Sequence, residues 1–119
     1  MRRLAIGTIA LGLVVASLAA YGPPAWAQAV ASIALPSPGE TEQLYPGCNN
    51  IGLTFPNETA SDTVVQAVTP TEAVEAMWRH DAALGKWQAF SPAAPGASDL
   101  LTVNFLDAVW LCVAGAPPA

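Results

Sequence analysis

Ala73-Val74-Glu75-Ala76-Met77-Trp78-Arg79-His80-Asp81 runs into Ala82-Ala83-Leu84-Gly85 and returns as Lys86-Trp87-Gln88-Ala89-Phe90-Ser91. The first arm alternates. Val74, Ala76, Trp78 and His80 fall on one side, and Glu75, Met77, Arg79 and Asp81 on the other. The return arm sets Trp87 and Ala89 against Lys86, Gln88 and Phe90. A period of two is the signature of a strand, because successive side chains point to opposite faces. Two such arms joined by a short loop with a glycine predict a β-hairpin. Ser91-Pro92 ends it, since proline cannot donate to the ladder.

Working outward, Asn49 to Phe55 places Ile51, Leu53 and Phe55 at period two after the turn residues Pro46-Gly47, which predicts a half-buried strand. Pro56-Asn57-Glu58-Thr59 reads as a turn. Its glycosylation-type triplet carries little weight beside an Ala- and Pro-rich composition that looks bacterial. Asp62 can cap a short helix or turn, although Val64, Val65 and Val68 also suit a strand; Pro70 ends either. Pro92 to Ser98 is a Pro/Gly/Ala loop, and Asp99 to Val103 is a turn of helix or a brief strand. Val109-Trp110-Leu111-Cys112-Val113 is apolar at every position and reads as a central strand buried on both faces. Residues 28–43, with Pro36, Pro38 and Gly39, read as a linker or a loose extended N-terminal segment. The single domain is expected over 44–114, with a disordered tail at 115–119. The fold class is mostly β: a small antiparallel β domain of about four to six strands with one short helix or turn.

The beginning of the chain fixes the expected compartment. Met1-Arg2-Arg3, an uncharged apolar run from Leu4 to Ala20 and Ala25-Trp26-Ala27 have the build of a secretory signal peptide cleaved after residue 27. A retained anchor is the rival reading. The run is shorter than the roughly 20 apolar residues that span a bilayer, and Gly22-Pro23-Pro24 breaks it. The protein is therefore expected outside the cytoplasm, in a periplasm or at a cell surface, meeting the membrane only transiently through its leader. No cysteine stands at the cleavage site, so lipid anchoring is not expected.

Cys48 and Cys112 are the only cysteines, 64 residues apart. In an exported chain an even pair reads as a disulfide rather than two free thiols. A small domain has a marginal core and gains from such a staple. The leader takes two of the four cations, leaving nine acids against Arg79 and Lys86, a net charge of −7. Such a surface repels nucleic-acid phosphates and anionic lipids, so nucleic acid is excluded as a partner.

Candidate chemistry is sparse. His80, the only histidine, neighbours Asp81, but adjacent strand residues point to opposite faces and would not form a dyad. With the cysteines committed, too few N and S ligands remain for zinc, so neither a metal nor another cofactor is expected. No hydrolase, P-loop or dinucleotide motif is present. Trp110, inside an apolar strand, is expected in the core, and the size of the domain argues the same for Trp78 and Trp87. If exposed instead, Trp78 and Trp87 with Arg79 would make a ligand-binding platform for sugar rings or a partner protein.

Two resemblances bear on this reading. The hairpin is similar to one hairpin of a kelch propeller blade, but a propeller needs several blades and this chain has room for one at most. A broader likeness runs through Gly47-Cys48-Asn49, Trp78-Arg79-His80-Asp81, Gly85-Lys86-Trp87, Phe90-Ser91-Pro92, Ser98-Asp99-Leu100 and Ala108-Val109-Trp110-Leu111-Cys112-Val113. This layout resembles a small module of exported bacterial surface proteins. The resemblance implies a secreted β-rich module and carries no active site. Such modules often have glycine just before the last strand, where this chain has Leu106-Asp107. The expected function is a non-enzymatic exported module that binds a cell-envelope glycan or protein, or is structural in the envelope. The alternative is a small secreted hydrolase, working around His80 and Asp81, or an enzyme inhibitor presenting the Pro92–Ser98 loop.

Overall fold

The computed structural model describes residue 24 and residues 27–115. Nearly all of the leader and residues 116–119 of the tail lie outside the described residues. The fold is mostly β, with nine strands in three antiparallel sheets and one short helix among the described residues. The strand count exceeds the expected range because Thr59–Ala60, Val68–Thr69 and Thr102–Val103 are two-residue strands that no sequence pattern announces.

The first sheet has the order β2-β1-β5, from β1 (Ala31–Leu35), β2 (Glu40–Leu44) and β5 (Val68–Thr69). Ala31, Ile33 and Leu35 are all buried at period two. Residues 31–44 are thus a hairpin of the domain and not a linker leading to it, with Ala31 opposite Leu44 and Leu35 opposite Glu40. The second sheet has the order β3-β9-β6-β7, from β3 (Gly47–Gly52), β6 (Val74–Asp81), β7 (Lys86–Phe90) and β9 (Ala108–Val113). The third pairs β4 (Thr59–Ala60) with β8 (Thr102–Val103).

Helix α1 (Ser61–Gln66) settles the ambiguity around Asp62 in favour of helix. Val64 and Val65 point into the core, and Val68 continues into β5. Ser61 fixes the start of α1: its main-chain N–H donates to the Leu101 carbonyl and its fully buried hydroxyl to the Leu100 carbonyl at 2.6 Å. The inner faces of the sheets and α1 share one core, in which Ile33, Leu44, Leu53, Met77, Leu100, Val109 and Leu111 are fully buried. Ile51, Leu53 and Phe55 are all buried as their spacing predicts, although the strand itself ends at Gly52.

The hairpin β6–β7 forms as expected, with Trp78 opposite Ala89 and Asp81 opposite Lys86. One correction concerns its faces. A bulge between Val74 and Ala76 inserts a residue into the alternation. Val74 and Met77 therefore both point inward, while Trp78 and His80 point out. A second correction concerns β9. It is central in its sheet, but only Val109, Leu111 and Val113 face the core; Trp110 is exposed on the other side, where no second layer of the described residues covers the sheet.

Cys48 and Cys112 sit directly opposite each other on β3 and β9 and form the expected disulfide. No helix among the described residues is long and apolar enough to cross a membrane.

Candidate functional site

The outer face of the four-stranded sheet is the candidate site. In the register of its strands, Asn50, Trp110, Trp78 and Ala89 form one row across β3, β9, β6 and β7. Cys48, Cys112 and Ala76 form the row to one side. His80 and Trp87 stand opposite each other on the other side, where Gly52 and Ala108 also pair. All of these side chains share one face, because neighbours in register point the same way.

Three tryptophans are half-exposed on this face: Trp110 at 40%, Trp78 at 42% and Trp87 at 52%. His80 packs edge-on against Trp87, with ring centroids 5.2 Å apart and planes at 64°. That contact props the Trp87 ring beside the other two instead of leaving it free in solvent. Asn50 and Ala89 complete the Trp110–Trp78 row, and the disulfide and Ala76 flank it on the side away from Trp87. The tryptophans expected to fill the core are thus collected on the surface, and the core is filled instead by aliphatic side chains and Met77.

Arg79 does not join them. It lies on the opposite face of β6, where Nη1 donates to Asp107 Oδ2 at 2.7 Å and Nη2 to Gln88 Oε1 at 2.8 Å. Asp107 Oδ2 also accepts the Asn104 N–H at 2.7 Å. The half-buried guanidinium therefore ties β6 and β7 to the turn that leads into β9. Asp81 is spent on the hairpin loop, where Oδ1 accepts the Leu84 N–H at 3.1 Å. It makes no dyad with His80, whose ring lies against Trp87.

The Pro92–Ser98 loop is held against the edge of β7. Ser98 Oγ accepts the Ser91 N–H and donates to the Ala94 carbonyl, around a single 3₁₀ turn at Pro95–Ala97. Among the described residues, no group of three or more His, Cys, Asp or Glu gathers in a way that could hold a metal ion.

Sequence reasoning missed Trp110 and His80 as members of this face. The signal was there in part: Trp78 and His80 share a parity, and a strand apolar on both parities can have one side open. The register that brings β9 beside β6 is a long-range fact and has no local signature.

Comparison with family models, with curated proteins and with solved structures returns no match to this chain.

Proposed function

We propose that the protein is an exported, non-enzymatic module whose aromatic sheet face binds neutral polysaccharide of the cell envelope. The single observation that carries this reading is the gathering of Trp78, Trp87, Trp110 and His80 on one sheet face that no other layer of the described residues covers. Keeping three indoles half in water forgoes burial energy, and an apolar patch of this kind marks an interaction surface. Indole rings stack on the C–H faces of sugar rings, while Nε1–H, Asn50 and the His80 imidazole supply hydrogen bonds at their borders. The charge supports a neutral ligand. The whole chain carries −5, and the part after the leader −7, so an acidic polymer would be repelled. The cross-strand disulfide is compatible with an oxidising compartment.

Intrinsic tryptophan fluorescence tests this reading against neutral and acidic polysaccharides in parallel. Saturable binding to a neutral polymer is expected, with Trp78→Ala and Trp110→Ala each weakening it by about tenfold, in the range of one lost stacking contact. No change with any polymer would overturn it, and a co-purifying protein in its place would turn the face into a protein-docking surface. A hydrolytic activity lost in His80→Ala would favour the enzymatic alternative.

A further inference from the structure

We propose that Gln28 is the first residue of the exported chain and that it closes on itself to pyroglutamate, leaving the working protein without an α-amino group. This modification rests on export with removal of the leader, and is independent of what the tryptophan face binds. Two boundaries meet at this residue. In the sequence, the leader pattern ends with the small residues Ala25 and Ala27, so cleavage falls between Ala27 and Gln28. In the fold, the first sheet takes hold at Val30. Its N–H donates to the Leu44 carbonyl at 2.9 Å, its side chain packs against the core, and Ala31 next to it is buried. Only Gln28 and Ala29, both exposed, stand between the cut and the fold. A cut after Ala27 thus keeps β1 whole, whereas a cut a few residues later would remove Val30 and Ala31.

An N-terminal glutamine carries a nucleophile and an electrophile in one residue. The α-nitrogen attacks the side-chain Cδ and forms a five-membered lactam. The Cδ–Nε2 bond breaks, and Nε2 leaves as ammonia with the proton that the attacking amine gives up. No oxidant, reductant or cofactor enters. The chain itself holds the reacting atoms together, so the step is unimolecular. An α-amine titrates near neutrality, so its neutral, nucleophilic form is well populated. While the leader is attached the same nitrogen is an amide and cannot attack, which ties ring closure to cleavage.

Ring closure changes the terminus in two ways. The positive charge of the α-amine is lost. Arg79 and Lys86 then remain the only strong cations of the exported chain, and Arg79 is already paired with Asp107 at 2.7 Å. An aminopeptidase, which grips a free α-amine, also loses its substrate. Without the ring it would reach Val30, at the threshold of β1, after removing Gln28 and Ala29.

Intact mass and amine labelling of the chain recovered from outside the cytoplasm test this directly. Lys86 is the only lysine in the sequence, so the label count reads the terminus. The expected result is a mass lower by one ammonia than that of residues 28–119, with a single label, at Lys86. Pyroglutamyl peptidase should then expose Ala29 and restore a second label. Gln28→Asn, whose side chain could close only a strained four-membered ring, should carry two labels from the start; a single label there would place the block elsewhere and overturn the proposal. A chain that begins at Gln28 with its full mass and two labels after incubation at neutral pH would overturn the modification and leave export standing. A chain that begins at another residue after cleavage would do the same. A chain that still begins at Met1 would overturn the modification together with removal of the leader.

Discussion

Asn49 shows how much a single side chain can hold. Its Oδ1 accepts the Tyr45 N–H at 3.0 Å, and its Nδ2 lies within donating distance of the carbonyls of Tyr45, Gly47 and Leu111. It closes the corner before β3 and reaches across to β9, next to Gly47, whose φ of 97° calls for glycine. Asn49→Ala should therefore lower the unfolding free energy by about 2 kcal/mol, read by denaturant titration, because several polar groups lose their partner together. Leu106 is the opposite case. It adopts φ 69°, in the left-handed region that favours glycine. A leucine pays about 1–2 kcal/mol to sit there, so Leu106→Gly should raise the melting temperature by relieving part of that strain. The short motifs of the sequence turn out to be local clamps of this kind. Asp81 holds the hairpin loop, Asp99 holds the edge of β7, and Asn57 Oδ1 accepts the Phe105 N–H at 3.0 Å. Their residue types were readable in the sequence. The partners of Asp99 and Asn57 were not, because they lie 10 and 48 residues away.

At the scale of elements, β9 carries the contrast that matters. Leu111 is fully buried and Trp110, its neighbour, is half-exposed. Leu111→Ala should cost about 3 kcal/mol, within the usual range for a core leucine, whereas Trp110→Ala should cost about 1 kcal/mol. Thermal unfolding of the two variants side by side checks the one-sidedness of the strand. Both residues look alike in the sequence. A run that is apolar on both parities reads the same whether its outer face is covered by another layer or kept open for a ligand. The hairpin β6–β7 was legible because its alternation and its Gly85 loop are both local. The bulge at Val74/Ala76 was not, because it follows from how β6 meets β9 and leaves no residue signature. The hairpin at 31–44 was obscured by Pro36, Pro38 and Gly39, which are its turn rather than a linker. Arg79 and Asp107 lock the far ends of β6, β7 and β9. Removing Asp107 should cost more than removing Arg79, since Asp107 also accepts the Asn104 N–H, and the same unfolding assay ranks the two.

Across the whole molecule, one core of mostly aliphatic residues is closed by one disulfide. Reduction of Cys48–Cys112 frees a loop of 64 residues, and the chain-entropy model puts the loss near 4 kcal/mol. For a domain of this size that is a large share of total stability. The reduced protein should therefore unfold at a much lower denaturant concentration, and equal midpoints with and without reductant would contradict this. The same crosslink joins β3 and β9 of the sheet that displays the tryptophans. With the core built mostly from aliphatic side chains, the three indoles stand half-exposed on the sheet face. The most direct measurement is a titration of the indole N–H NMR signals with a neutral polysaccharide. Concerted shifts of Trp78, Trp87 and Trp110, with the signals of the Pro92–Ser98 loop unmoved, are the expected result. Indole signals that stay fixed at saturating polymer, or shifts confined to the loop, would contradict the assignment of the sheet face as the binding surface.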